Sequence, residues 1–550
     1  MSTVTLPDLR PTGISSDAVL GRPHRRRAQA VIIANVLATL WYFGWLLKPE
    51  RVGNPSLYGL LLAAEMFNLL QAAGFWWTLW HDGRPAGRRQ RRIAAKVVDP
   101  AAAQQIGTGG REVDVDVFVP RYNEAVEVVE PVLRAARLLH GARVRVHLLD
   151  DGDSDEMRLL ASRLDVNYIT RPQHTGAKAG NINHALGVTD ADYLVILDCD
   201  HVPHPDLLVR TLPDLLDEGV AFVQTPQYYA NADRNATAAA SWSQQALFFG
   251  CIGRGKSGIG SMFCCGTNVV FRRSALQDVG GFPENSVTED FELSVILQER
   301  GWRTAYVPEV LVQGLGPEDM ASYVSQQMRW ASGCLSGMSR SMRSELPIGL
   351  KVQYLLSGMY FLTGWTVLIY LSLPVTRILT GEQPIASSTA SDFLMHFAPY
   401  FILSLMTVSV AGGGIFSFRA LSLATASYWV HIAATIKALS RRPGRFVVTP
   451  KNGSGSWQPA AVWPGLLTCG VLVAVSVYGL IRSRDASMLN NVAFAMLHLT
   501  VLVTGMTTAL RPTRIAALAM RDLPAGDARW QSGTGMPADG VVITRLVTAP

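Results

Sequence analysis

Charge is scarce in this 550-residue chain: Asp, Glu, Lys and Arg make up 17% of it, against 49% hydrophobic residues. The scarcity is uneven, with apolar runs gathered towards the two ends and most carboxylates in the middle. One large water-soluble globule is excluded by that pattern, which is instead that of a soluble unit interrupting a membrane protein. Cysteines are few as well. None of Cys199, Cys251, Cys264, Cys265, Cys334 and Cys469 forms a CxxC pair, and none lies in the short loops placed outside the membrane. A disulfide framework and a structural zinc site are therefore not expected. Nor is a cleavable leader, because residues 1–28 are polar and turn-rich and the apolar run after them is too long for a signal core.

The formal net charge is +6, but the basic residues cluster beside apolar segments. Arg22, Arg25, Arg26 and Arg27 precede the first run, and Arg84, Arg88, Arg89, Arg91, Arg92 and Lys96 follow the second. The positive-inside rule accounts for both clusters on the cytoplasmic side, so no nucleic-acid partner is expected. Residues 29–47 and 56–80 each reach the roughly 20 residues needed to cross a hydrocarbon core and predict an in–out–in hairpin. Glu65 lies inside the second run and must face protein or a polar cavity. Apolar character returns after residue 350, with spans predicted at 354–379, 391–415, 462–482 and 489–510. The stretch 418–440 carries Arg419, His431 and Lys437 and reads as an interfacial helix. Six spans place both termini and the central unit inside. Arg482 and Arg484 then fall outside, outweighed by the other basic clusters.

Between the hairpin and the later spans, β-rich runs alternate with amphipathic stretches. VDVDVFV (113–119), VRVHLL (144–149), VNYI (166–169) and YLVILDCD (193–200) are the runs, with helices expected over Glu124–Leu139 and Gly180–Leu186. That rhythm predicts an α/β sheet with acidic residues at its strand ends. Ligands of open α/β sheets collect there. Asp198 and Asp200 directly follow an apolar strand and can enter one cleft together; their hard oxygens suit Mg²⁺ or Mn²⁺ beside a nucleotide diphosphate. A lone DxD is equally an acidic strand cap, so its companions decide. Tyr122, Asn123 and Glu124 end the first strand, and Asp150-Asp151-Gly152 ends the next. Thr288-Glu289-Asp290 opens a helix: Thr288 is a plausible N-cap and Glu289 suits the first turn. Asp290 can deprotonate an attacking hydroxyl. In Gln326-Gln327-Met328-Arg329-Trp330, Arg329 can meet pyrophosphate charge and Trp330 can offer a flat face to a sugar.

The spaced series DDG, DxD, TED and QxxRW resembles the processive branch of family-2 glycosyltransferases, especially bacterial cellulose synthase catalytic subunits, over residues 29–510. The resemblance implies a GT-A-like α/β cytosolic domain inserted between transmembrane helices, in a multi-pass protein of the bacterial inner membrane. It implies that Tyr122, Glu124, Asp150 and Asp151 hold the nucleoside end of a UDP-sugar and that Lys178 approaches its phosphates. Asp198 and Asp200 become the metal and diphosphate carboxylates and Asp290 the catalytic base. Gln326 and Arg329 join the donor site, while Glu289, Trp330 and the FCCGTN residues Cys265, Gly266, Thr267 and Asn268 form the acceptor side. DCDHVPHP is especially similar to the cellulose synthase form; His201 is given no catalytic role. FVVTPKNG (446–453) resembles a gating loop, with Thr449 and Lys451 as phosphate contacts.

The implied organisation is a basic segment (1–28), two spans (29–80), a GT-A-like domain (81–350), two spans (351–415), an interfacial helix with the gate (416–461), two spans (462–510) and a tail (511–550). That tail is too short for the cyclic-di-GMP-binding barrel of many cellulose synthases, and Arg511 and Arg514 lack the fuller arginine motif. The implied partners are UDP-glucose, the growing polysaccharide and membrane lipids, with an envelope export partner or homo-oligomer left open. The implied reaction is processive transfer of glucose to a β-glucan such as cellulose. Open alternatives are a β-1,3- or mixed-linkage glucan, a UDP-N-acetylglucosamine-using polymerase, a non-processive lipid glycosyltransferase and a non-catalytic nucleotide-sugar sensor. The topology predicts that a membrane-impermeant thiol reagent labels a cysteine introduced near residue 385 in intact cells and leaves one near residue 100 protected. Equal protection of both, or labelling of the cysteine near residue 100 from outside, contradicts it.

Overall fold

The computed structural model describes residues 25–82, 113–286, 288–386, 389–440 and 458–510. The segment 446–453 with Thr449 and Lys451, the basic cluster 84–96 and the tail lie outside them. Among the described residues, six helices are long and apolar enough to cross a membrane: Arg25–Leu46, Pro55–Trp80, Ile348–Thr380, Ser391–Ala411, Trp463–Arg482 and Ala486–Thr507. Their ends follow local chemistry. Asn54 accepts hydrogen bonds from the backbone N–H of Ser56 and Leu57 and is followed by Pro55, a preorganised first helical residue. The fourth span stops at Ala411, short of the predicted residue 415, because Gly412-Gly413-Gly414 follows. The last begins at Ala486, earlier than predicted, because Asp485 caps it through the Met488 N–H. Glu65 is buried, accepting from the Tyr42 hydroxyl at 3.3 Å and the Tyr400 hydroxyl at 3.4 Å.

The segment 418–440 differs from the single interfacial helix expected. It forms two helices, Phe418–Ala426 and Tyr428–Leu439, broken at Ser427. Their small residues are buried, and glycines on neighbouring spans admit their backbone. A Cβ on Gly505 would come within 2.3 Å of the Ser422 carbonyl, and one on Gly364 within 2.4 Å of the Tyr428 carbonyl. The pair is wedged into the bundle, because small residues let helices approach where polar side chains alone would favour a surface position.

The middle of the chain forms a seven-stranded mixed sheet, ordered β3-β2-β1-β4-β8-β6-β9. Its strands are β1 (Asp114–Arg121), β2 (Arg143–Asp150), β3 (Asn167–Ile169), β4 (Tyr193–Ile196), β6 (Val220–Gln224), β8 (Val269–Arg272) and β9 (Arg303–Tyr306). β8 runs antiparallel between β4 and β6, and the other pairs are parallel. Alternation sends Val115, Val117 and Val119 into one core layer and Phe118 into the other. Asp116 shares the Phe118 face. It is fully buried yet satisfied by Arg145, His147, Arg273 and the Ala191 N–H, so this carboxylate is structural.

A small second sheet joins β5 (Val202–Pro203), β10 (Val312–Gly314) and β7 (Tyr228–Tyr229). It ties the segment after Asp198-Cys199-Asp200 to two later loops. Helix Met320–Arg343 then runs from this sheet to the membrane bundle. Asp319 caps its start through the Ser322 N–H, and Arg340 and Arg343 complement the dipole at its end. Met320 and Tyr323 join a buried cluster with Leu371, Leu423, Leu472 and Leu502, so the helix shares a core with the spans.

Candidate active site

Three strand ends open into one cavity of about 690 Å³. After β1, Tyr122 and Glu124 line it; the Glu124 carboxylate accepts from the Tyr122 and Asn123 N–H groups and sets that turn. After β2, Asp151 lines it while paired to Arg171 through two 2.7 Å hydrogen bonds. After β4 come Asp198 and Asp200. The Thr267 hydroxyl accepts the Asp198 N–H at 2.8 Å, fixing that strand end. Lys178, in the first turn of helix Ala177–Val188, donates to Asp198 Oδ1 and to the Gly266 carbonyl at 2.8 Å. Although burial pushes the other way, the Lys178 ammonium and His201 hold the Asp198 carboxyl below the usual range.

The opposite wall joins helix Glu289–Glu299 to helix Met320–Arg343. A Cβ on Gly333 would come within 2.0 Å of Thr288 Cγ2, so only glycine permits this approach. Glu289, Asp290, Gln326, Arg329 and Trp330 therefore line the same cavity. Gly266 has φ +79°, and a Cβ there would meet Asp290 Oδ2 at 2.9 Å, so glycine supplies both the turn and the room for the carboxylate. Burial pushes Glu289 up to about 7, with the neighbouring Asp290 charge adding to the shift. Burial also raises Asp290, opposed by the Phe291 N–H, Lys178 and Arg329. Trp330 is half-buried beside Ala331, Phe361 and Ala434, where the site meets the bundle.

Three predicted contacts do not reach the cavity. Asp150 is fully buried, and its oxygens already accept from Arg121, the Gly152 and Ser154 N–H groups and the Tyr168 hydroxyl. It shapes the turn that presents Asp151. Thr267 and Asn268 are buried behind the Cys265-Gly266 wall, where Thr267 holds Asp198 and Asn268 binds the Pro226 carbonyl. Cys265 and Gly266 do line the cavity. Conversely, Tyr229, Asn231 and Glu318 line it without having been singled out. The run TPQYYAN directly after β6 was the available signal for Tyr229 and Asn231, by the same strand-end logic that marked DxD.

Asp198, Asp200 and His201 offer ligand atoms that lie within 4.8 Å of one another. His201 Nδ1 is 3.1 Å from Asp200 Oδ1. Its Nε2 has no hydrogen-bond partner among the described residues and lies where a Cβ on Gly314 would come within 2.5 Å. Two carboxylates and an imidazole facing a polar cavity suit a divalent cation such as Mg²⁺ or Mn²⁺. His201 is thus brought into the group as a candidate ligand, a role the sequence reading did not give it.

Residues 193–507 match glycosyl transferase family group 2. The chain belongs to that family. Its sheet and flanking helices are accordingly a GT-A-like catalytic domain joined to apolar helices of membrane-spanning length. The chain is 31% identical over 518 residues to cellulose synthase 1 of Komagataeibacter xylinus, covering 88% of this chain and 32% of that protein. It is 32% identical over 454 residues to the UDP-forming cellulose synthase catalytic subunit of Pseudomonas fluorescens, covering 78% and 58%. The chain thus spans about a third of the first relative's length and under two thirds of the second's. A mannosyltransferase from Pyrobaculum calidifontis, solved with GDP-Man and Mn²⁺, aligns with 18% identity and a TM-score of 0.47, over 70% of this chain and all of that one.

The raised Glu289 carboxyl makes a signed prediction for this family member. A native group that keeps its proton above the ordinary value of 4.5, up to about 7, binds more protons than the unfolded chain in that window, so its contribution to stability falls as pH rises through it. The ligand-free protein is expected to lose more thermal stability between pH 5 and pH 7 than a Glu289→Gln variant does. Equal losses in the two proteins contradict the assignment.

Proposed function

We propose that the chain is a processive, inverting polysaccharide synthase that transfers glucose from UDP-glucose to a growing β-glucan, most simply β-1,4-linked cellulose. The observation that carries this reading is the continuity of the cavity with the membrane bundle. The helix bearing Arg329 and Trp330 faces the carboxylates and also packs in the core of the spans. A chain extended at Trp330 is already beside those helices, which favours polymer extrusion over a single transfer to lipid. The relatives' names, cellulose synthases among them, support the same donor and product.

In this reading Tyr122, Glu124 and Asp151 receive the nucleoside end of the donor. Asp198 and Asp200, with His201, hold Mg²⁺ or Mn²⁺, which when bound offsets diphosphate charge and eases departure of the leaving group. Lys178 and Arg329 supply further positive charge, and Gln326 lies beside them. Asp290 takes the proton of the attacking acceptor hydroxyl as the anomeric carbon inverts. Its position against Gly266 and beside Glu289 keeps it on the acceptor wall with Cys265 and Trp330. Burial keeps its basicity above that of an ordinary aspartate, which suits a base. Thr449 and Lys451 are assigned to closure over the diphosphate on sequence resemblance. The protein sits in the bacterial inner membrane, with the 81–350 domain and both termini in the cytoplasm and the polymer passed outward.

Asp290→Asn is expected to keep UDP affinity and lose about 10²–10⁴-fold in transfer, the range for removing a general base. The assay uses purified protein in lipid, individual UDP-sugars with Mg²⁺ or Mn²⁺, and linkage analysis of any long product. Normal turnover by folded Asp290→Asn rejects the base. Polymer from UDP-N-acetylglucosamine but not UDP-glucose rejects the donor, and a β-1,3 product rejects cellulose.

A further inference from the structure

Lys178 stands where two cations have reason to compete. Its ammonium contacts Asp198 Oδ1, one of the two carboxylates that face the candidate metal position, and is anchored on its other side by the Gly266 carbonyl at 2.8 Å. Its charge also acts on Glu289 and Asp290. This one side chain therefore offsets negative charge on both walls of the cavity. A divalent ion at Asp198 and Asp200 would compete with that ammonium for the Asp198 carboxylate, and two like charges sharing one carboxylate repel. The conflict disappears if the ammonium has an alternative anion. Lys178 lies on the first turn of its helix, on a four-carbon stem that lets its head swing, and a diphosphate in the cavity would provide that anion.

We infer that Lys178 is a placeholder cation: it holds Asp198 until a nucleoside diphosphate binds, opposes metal binding on its own, and releases Asp198 to the metal when the diphosphate takes the ammonium. The inference rests on the metal and nucleotide reading of the site given above. Its consequence is thermodynamic coupling, because nucleotide and metal each tighten the other by the same factor. Lys178 is in this respect a positioning residue, since it governs how available Asp198 is.

The test measures Mn²⁺ binding to the full-length protein by electron paramagnetic resonance of the free ion, with and without UDP. Lys178→Met is expected to bind Mn²⁺ without UDP at least about fivefold more tightly than the wild type, and to lose at least about fivefold of the tightening that UDP produces, the lower end of usual coupling. Lys178→Gln, which retains a donor for the Gly266 carbonyl, gives the same comparison if Lys178→Met does not fold. Arg329→Met removes an equal charge that acts on Glu289 and Asp290, and is expected to raise UDP-free Mn²⁺ affinity less. Mn²⁺ binding that requires Asp198, judged by Asp198→Asn, but is unchanged or weaker in both Lys178 variants overturns the inference and leaves the metal site standing. An equal gain from Arg329→Met also overturns it, by reducing the effect to general charge. Binding that survives Asp198→Asn unchanged overturns the inference and the metal site together.

Discussion

Negative charge gathered in a partly dry cavity is the constraint on which the rest depends. Asp198, Asp200, Glu289 and Asp290 all line one space, and two of them come from each wall. Carboxylates so placed repel one another and resist ionisation unless cations stand among them. Burial raises Glu289 and Asp290, with the Asp290 charge adding to the shift at Glu289, while the Lys178 ammonium helps hold Asp198 below the usual range despite burial. The cavity thus suits positive charge, and in the function proposed above a metal bound to a diphosphate would satisfy the carboxylates and the basic groups Lys178 and Arg329 together.

That concentration of charge is held by backbone that tolerates little change. Gly333 lets the Trp330 helix close against Thr288, and Gly266 makes room for Asp290. Glycine at these places is a matter of contact distance as much as of conformation. The same Trp330 helix shares apolar contacts with the membrane-length helices, so the position of the wall that carries Trp330 is linked mechanically to the bundle. Wedging of 418–440 into the bundle belongs to the same arrangement, since it brings Ala434 against Ala331 and Phe361, one residue from Trp330.

Much of this was legible in the sequence because it rests on local pattern. Alternating Val and Phe in β1 mark two buried faces, and polar groups directly after apolar strands mark the cavity rim. Asp198, Asp200 and Asp290 are brought together by a strand end and a helix start that their own neighbours announce, and Trp330 by the interior of helix Met320–Arg343. What stayed hidden depends on contacts distant in sequence. The antiparallel entry of β8 between β4 and β6 is a pairing choice with no local signature. Which aspartate of the DDG pair faces the cavity is decided by Arg121 and Tyr168 capturing Asp150. Positive φ at Gly266 and Asn268 marks the turn of the FCCGTN segment, whose Cys265 and Gly266 line the cavity while Thr267 and Asn268 are buried behind them. Tyr229 and Glu318 were missed because the small β5-β10-β7 sheet that brings their loops beside the DxD segment has strands of two or three residues.

The central claim is that this cavity holds a metal–nucleoside diphosphate between the two walls. A structure of the protein with UDP and Mn²⁺, with the metal located by its anomalous signal, tests it most directly. The account predicts Mn²⁺ on Asp198 and Asp200, diphosphate oxygens beside Lys178, and the uracil towards Tyr122. Metal bound away from both aspartates, or UDP outside the cavity, would contradict it.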